Sequence, residues 1–309
     1  MPLVSVPDQS WVVDLGEIAG VDLRVWDPRH DDTSEAGRAG MGIEVYVAPY
    51  LQGLEPIRRA VERPSVRLVQ LLTAGFDGVL EIVPEGVQVA NAGPVHDDST
   101  AELALALTLA AQRGIPEAVL GAQRGEWLHL GGRPSLADRR CVVIGYGGVG
   151  RGITRRLLAF GAQVSAVASR PRAGDDLVEQ IRGVDDLPDL LPDTEIALLA
   201  LPLTPATRGL VGHEFLSRMP PAALVVNVAR GPVIDTSALL AHVGRIRFAL
   251  DVTDPEPLPP DHPLWSAPGV LITPHIGGPT TAFRPRAVAM LREQLARLGR
   301  GEDPAYLVG

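Results

Sequence analysis

Short apolar runs alternate with longer stretches that place apolar residues at helical spacing along the whole chain. Toward the N-terminus the runs are LVSV (3–6), DLRVW (22–26), IEVYVA (43–48), VRLVQLL (66–72) and VQVAN (87–91). Their length and β-branched content predict strands, whereas LEPIRRAVE (54–62) has the spacing of a helix. Strands separated by helices predict a parallel sheet with helices on its faces. The polar stretch NAGPVHDDST then leads into AELALALTLAAQRG, where Ser/Thr, Glu102 and the closing Gly114 are helix start and stop signals.

A second alternation begins at Cys141. Strands are expected near 141–145, 163–168, 195–201, 223–228, 248–252 and 270–273, with RGITRRLLAFG and DTSALLAHVG as the clearest helices between them. Six strands joined by crossovers suit a doubly wound dinucleotide-binding sheet. TTAFRPRAVAMLREQLARLGRG reads as an amphipathic helix beyond that sheet. The predicted fold class is therefore α/β, and no short-period repeat or low-complexity tract interrupts it.

Composition narrows the function classes. A length of 309 residues provides for about two domains. The net charge of −9 argues against nucleic acid or an anionic membrane as partner. The longest apolar run, IALLALPL from Ile196, is too short to span a bilayer, and MPLVSVPDQSW lacks the basic start of a secretory signal. The single cysteine, Cys141, fits a reducing compartment, so a cytoplasmic location is expected. The chain contains no lysine, which excludes P-loop and Schiff-base lysine chemistry and leaves arginine to meet any phosphate.

Gly145, Gly147 and Gly150 form G-x-G-x-x-G between an apolar strand and a helix, with Gly148 and Val149 inside the turn. Such turns bring backbone and a helix N-terminus to a pyrophosphate. An acid that would hold the adenosine ribose is expected about twenty residues later. None stands between Gly145 and Gly174; Ser169, Arg170 and Arg172 stand there instead. A hydroxyl and two guanidinium groups suit a 2′-phosphate, so NADPH (NADP) is the expected cofactor, with NAD as the alternative. Further on, Arg230 follows VVNVA, Asp251 ends another apolar run, Glu256 lies in a Pro-rich loop and His275 follows VLITP. Arginine to hold an anion, histidine to move a proton and a carboxylate to raise its pKa form a set for carbonyl chemistry.

With these residues the sequence resembles the D-isomer-specific 2-hydroxyacid dehydrogenase family. The likeness runs from LLTAGFDGV through TAELALALTLA, VVIGYGGVG, LPLTPATRGLV, VVNVARGPVIDTSAL and ALDVTDPEPLP to TPHIGG. It implies two Rossmann-like domains: a smaller flavodoxin-like substrate domain (1–94 plus 284–309) and a dinucleotide-binding domain (95–283). It implies that Arg230 binds the substrate carboxylate and carbonyl, that His275 is the acid/base, and that Glu256 keeps it protonated. Backbone amides of Thr73, Ala74 and Gly75 would grip the carboxylate. Asp251 would contact the nicotinamide, and Pro202 with Thr207 would line the cofactor. A homodimer through the cofactor domain is also implied.

Within the family, formate and phosphite enzymes are disfavoured, because Glu256 stands where the former carry Gln and the latter need a lysine. The Ser169–Arg170 pair resembles NADPH-linked glyoxylate/hydroxypyruvate reductases. Tyr50 and Leu51 in VAPYLQG suggest an apolar lining, although Arg58 and Arg59 keep an NAD-linked phosphoglycerate dehydrogenase as the alternative. A non-catalytic NAD(P)-sensing co-repressor is the alternative from another class. His96 is expected either near the substrate or on a surface loop.

Overall fold

The computed structural model describes residues 1–30 and 42–309. They form two compact units: Met1–His96 with Thr281–Gly309, and Asp97–Thr280.

The first unit contains β1 (Leu3–Val6), β2 (Asp22–Val25), β3 (Val45–Val47), β4 (Leu68–Gln70) and β5 (Gln88–Ala90). They lie parallel in the order β2-β1-β3-β4-β5, and the last strand of the chain, Leu307–Val308, adds antiparallel to β5. This 2-1-3-4-5 order is the flavodoxin-like one. Successive side chains of a strand face opposite sides of a sheet, and here both sides are covered. Val45, Val47 and Leu68 pack with Met290, Leu291 and Leu295 of the Phe283–Gly299 helix. Tyr46 and Val69 pack with Ile57 and Ala60 of the Glu55–Val61 helix.

The second unit contains β6 (Arg140–Ile144), β7 (Gln163–Ala168), β8 (Arg172–Ala173), β9 (Gln180–Gly183), β10 (Ile196–Leu199), β11 (Leu224–Asn227), β12 (Arg247–Leu250) and β13 (Val270–Ile272). Their order is β8-β9-β7-β6-β10-β11-β12-β13, parallel throughout except for the β8–β9 pair. The central strands β6, β10, β11 and β12 read as nearly unbroken apolar runs because both of their faces are buried. In β10, Ala197 and Leu199 join one core while Ile196 and Leu198 join the other. The chain runs outward from β6 to β9, then returns to place β10 on the other side of β6. That reversal makes a switch point, where open α/β sheets leave a crevice beyond the strand carboxyl ends.

Both sheets and their helices agree with the α/β expectation, and the six strands expected after Cys141 are present. The β8–β9 hairpin and the Gln9–Leu15 helix were not expected from the sequence. Among the described residues no single helix is long and apolar enough to cross a membrane.

Candidate active site

The glycine turn joins β6 to the Gly148–Ala159 helix. Gly145 has φ +99°, and a Cβ there would strike the Ala200 carbonyl, so only glycine makes this turn. A Cβ on Gly150 would strike the Gly145 carbonyl, so that glycine lets the helix lie close to the turn. Gly147 differs: a Cβ there would meet nothing within 4 Å, which leaves its backbone open to a ligand. The helix carries no side-chain cap, so its first amides are available to an anion. Gly148 lies against the Asp97 carboxylate, and Val149 packs into the core. These roles fit a dinucleotide pyrophosphate.

Ser169 and Arg170 follow β7 and are exposed. Arg172 lies in β8 and donates from Nη2 to the Tyr146 carbonyl at 3.0 Å. The first acid after the turn, Asp175, accepts from Arg151 Nε at 2.8 Å and from Tyr146 Oη at 3.0 Å. On the other side of the switch point, Thr207 Oγ1 donates to the Pro202 carbonyl at 2.7 Å and accepts from Thr204 N at 2.8 Å, which closes the loop after β10.

Arg230, Glu256 and His275 all follow strand carboxyl ends of this same unit. Arg230 comes three residues after β11. The buried Asn227 donates to the Arg230 carbonyl at 3.0 Å and accepts from Ala229 N at 3.0 Å, fixing the backbone that presents it. The Arg230 side chain is half-buried and donates from Nη1 to the Ala229 carbonyl at 2.7 Å. Gly231 lies against the Thr253 backbone, which locks this loop to the one after β12.

His275 Nδ1 lies 2.6 Å from Glu256 Oε1. Glu256 raises the imidazole pKa above its ordinary value, against opposition from burial and from nearby Arg230. The same hydrogen bond holds the Glu256 pKa below its usual value. With Nδ1 donating to a carboxylate, Nε2 is the atom left to exchange a proton.

Asp251 is 3% exposed and does structural work around that imidazole. Its Oδ1 accepts from Thr273 Oγ1 at 2.6 Å and Ile276 N at 2.9 Å, and its Oδ2 accepts from Gly277 N at 2.9 Å. His275 N also donates to the Asp251 carbonyl at 2.8 Å. These bonds surround a histidine in the left-handed region, φ +53°, a conformation that persists only where its surroundings impose it. Asn227 and Asp251 as scaffolding were missed in the sequence, where a polar residue ending an apolar strand was the only signal.

In the first unit, Thr73, Ala74 and Gly75 form the loop after β4. Asn91 Nδ2 donates to the Ala74 carbonyl at 3.0 Å, Ala92 N to the Thr73 carbonyl at 2.9 Å, and Thr73 Oγ1 to the Gly75 carbonyl at 2.7 Å. The carbonyls are thus occupied, which holds the loop in shape. His96 is buried at 6% exposure, with Nε2 2.8 Å from the Leu72 carbonyl. Its ring lies parallel to those of Phe283 and Tyr50, and the latter two stack at 4.0 Å. Leu51 is exposed, and Arg59 is paired with Glu55.

Residues 105–277 match the model of the NAD-binding domain of D-isomer specific 2-hydroxyacid dehydrogenases. The chain is 33% identical over 248 residues to human glyoxylate reductase/hydroxypyruvate reductase, covering 77% of this chain and 75% of that protein. It is 32% identical over 307 residues to D-3-phosphoglycerate dehydrogenase of Methanocaldococcus jannaschii, covering 91% of this chain and 58% of that protein. A D-isomer specific 2-hydroxyacid dehydrogenase from Xanthobacter autotrophicus, solved with NADPH and MES, aligns with a TM-score of 0.80 at 29% identity, covering 100% of this chain and 98% of the other. The chain is an NAD(P)-dependent oxidoreductase and belongs to the D-isomer-specific 2-hydroxyacid dehydrogenase family.

Proposed function

We propose that the protein is an NADPH-preferring reductase of small 2-keto acids, of the glyoxylate/hydroxypyruvate type, forming D-2-hydroxy acids. The observation that carries this is the 2.6 Å His275–Glu256 pair, set at the strand carboxyl ends with Arg230 near enough to act on both pKa values. Human glyoxylate reductase/hydroxypyruvate reductase, as a relative, supports the substrate class.

When bound, the nicotinamide supplies a hydride to the carbonyl carbon. His275 Nε2 gives its proton to the carbonyl oxygen, and Glu256 holds the imidazole in the protonated form that this requires. Arg230 offers a planar fork to the substrate carboxylate and stabilises charge developing on the carbonyl oxygen. The amides of Thr73, Ala74 and Gly75 grip the carboxylate, Pro202 and Thr207 line the cofactor, and Asp251 meets the nicotinamide side of the site. Ser169, Arg170 and Arg172 meet the 2′-phosphate.

The protein acts as a cytoplasmic homodimer in this reading. An exposed apolar patch supports the dimer: Ile115, Val119 and Leu120 on the Ile115–Gln123 helix, followed by Trp127 at 88% exposure and Leu128. Apolar patches of this kind mark association surfaces.

The second reading, an NAD-linked D-3-phosphoglycerate dehydrogenase, is favoured by the relative of that name that matches 91% of this chain. Reduction of glyoxylate, hydroxypyruvate and phosphohydroxypyruvate, each measured with NADPH and NADH, separates the two. Highest kcat/KM with the unphosphorylated acids and NADPH is expected; highest kcat/KM with the phosphorylated acid and NADH supports the second reading.

A further inference from the structure

The β8–β9 hairpin carries a polar cluster that the catalytic reading does not use. Asp175 opens its turn, and Gly174 beside it admits no Cβ because the Val178 carbonyl occupies that space. Asp175 Oδ1 accepts from Leu177 N at 2.9 Å and Tyr146 Oη at 3.0 Å, while Oδ2 accepts from Arg151 Nε at 2.8 Å. The same guanidinium pairs with Asp176 through Nη2. Tyr146 is the second residue of the glycine turn and is 7% exposed, packed on Ala166 of β7 and on Val178 and Ile181 of the hairpin. Its carbonyl receives Arg172. β9 also pairs with β7, Ala168 facing Gly183, so the hairpin is fastened to the strand whose end carries Ser169 and Arg170.

We propose that Tyr146, Asp175 and Arg151 are positioning residues for cofactor choice. They fix the Ser169–Arg172 loop against the glycine turn and withhold the Asp175 carboxylate from the adenosine ribose. The inference rests on the NADPH reading above. A loose carboxylate near that ribose repels a 2′-phosphate and accepts from a 2′-hydroxyl. Arg151 prevents this in two ways, by holding Asp175 and Asp176 in place and by opposing their charge. A loop already ordered also spares the bound phosphate the entropy of ordering it. The carboxylate missing from the sequence after β7 is thus present on the hairpin paired to β7, tied off by an arginine one turn into the helix that follows the glycine turn.

The test uses isothermal titration of the full-length, cofactor-free protein with 2′,5′-ADP and with 5′-AMP. Wild type is compared with Tyr146→Phe, Arg151→Gln and the double variant Arg151→Gln/Asp175→Asn. Wild type binds 2′,5′-ADP more tightly. Tyr146→Phe and Arg151→Gln each reduce that preference by about fivefold, as expected for loss of one hydrogen bond or ion pair, and they do so by weakening 2′,5′-ADP. The double variant recovers part of the loss, because the released charge is gone. Circular dichroism checks folding, and Tyr146→Phe, which removes one oxygen, carries the test if Arg151→Gln does not fold. A wild-type preference that persists unchanged in the single variants, or equal weakening of both ligands, overturns the inference alone. A wild type with no preference overturns the NADPH reading and this inference with it.

Discussion

Replacing Asp251 with Asn changes one oxygen to an amide nitrogen, yet the structure makes this a severe substitution. The retained oxygen can still serve Thr273 and Ile276, but the Gly277 N–H then faces a donor. A buried N–H left without an acceptor costs about 1–3 kcal/mol, and loss of the charge weakens the two remaining bonds. The left-handed backbone of His275, itself worth about 1–3 kcal/mol of strain, then loses part of what imposes it. Together these give about 2–4 kcal/mol of destabilisation, or a Tm lower by roughly 5–15 °C for a domain of this size. Thermal unfolding of the cofactor-free protein reads the first effect, and kcat for keto-acid reduction reads the displacement of the imidazole. An unchanged Tm and kcat, with only a raised KM for the cofactor, would refute the positioning argument and leave Asp251 as a nicotinamide contact.

Three further outcomes follow from the same geometry. The Glu256 hydrogen bond raises the His275 pKa, so its stabilising effect is present below the ordinary imidazole value and is lost as pH rises through the raised one. Glu256→Gln should therefore move the alkaline fall in kcat/KM for reduction to lower pH, and an unmoved limb contradicts the pairing. His242 behaves in the opposite sense: burial, then His213 at 2.9 Å and Arg245, lower its pKa from 6.5. Stability should decline as pH falls below about 6.5, and His242→Gln should flatten that decline in urea midpoints measured from pH 7 to 5. The glycine turn separates ligand from fold. Gly147→Ala should leave the cofactor-free Tm within about 2 °C, as a surface change does, while weakening NADP binding, whereas Gly150→Ala should lower the Tm sharply by striking the Gly145 carbonyl. Equal Tm effects would refute this division.

Much of the site was legible because its residues sit where apolar runs stop. Arg230 and Asp251 follow strands buried on both faces, and His275 follows the apolar but only half-buried VLI strand. What escaped the sequence depends on partners far along the chain. The QIRG strand has one buried apolar side chain, Ile181, and is held by pairing to β7 rather than by its own pattern. Asp175 reads as a loop acid until Arg151 and Tyr146 are seen to hold it. His96, followed by two aspartates, lies in a ring stack with Tyr50 and Phe283, residues that no local spacing connects.

The central claim is that His275 moves the proton while the glycine turn holds the dinucleotide, and one variant measures both. His275→Ala, assayed for glyoxylate reduction and titrated with NADP, should lose turnover by about a hundredfold or more, the usual contribution of a general acid, while NADP affinity stays within about twofold. Turnover within a few-fold of wild type would contradict the account.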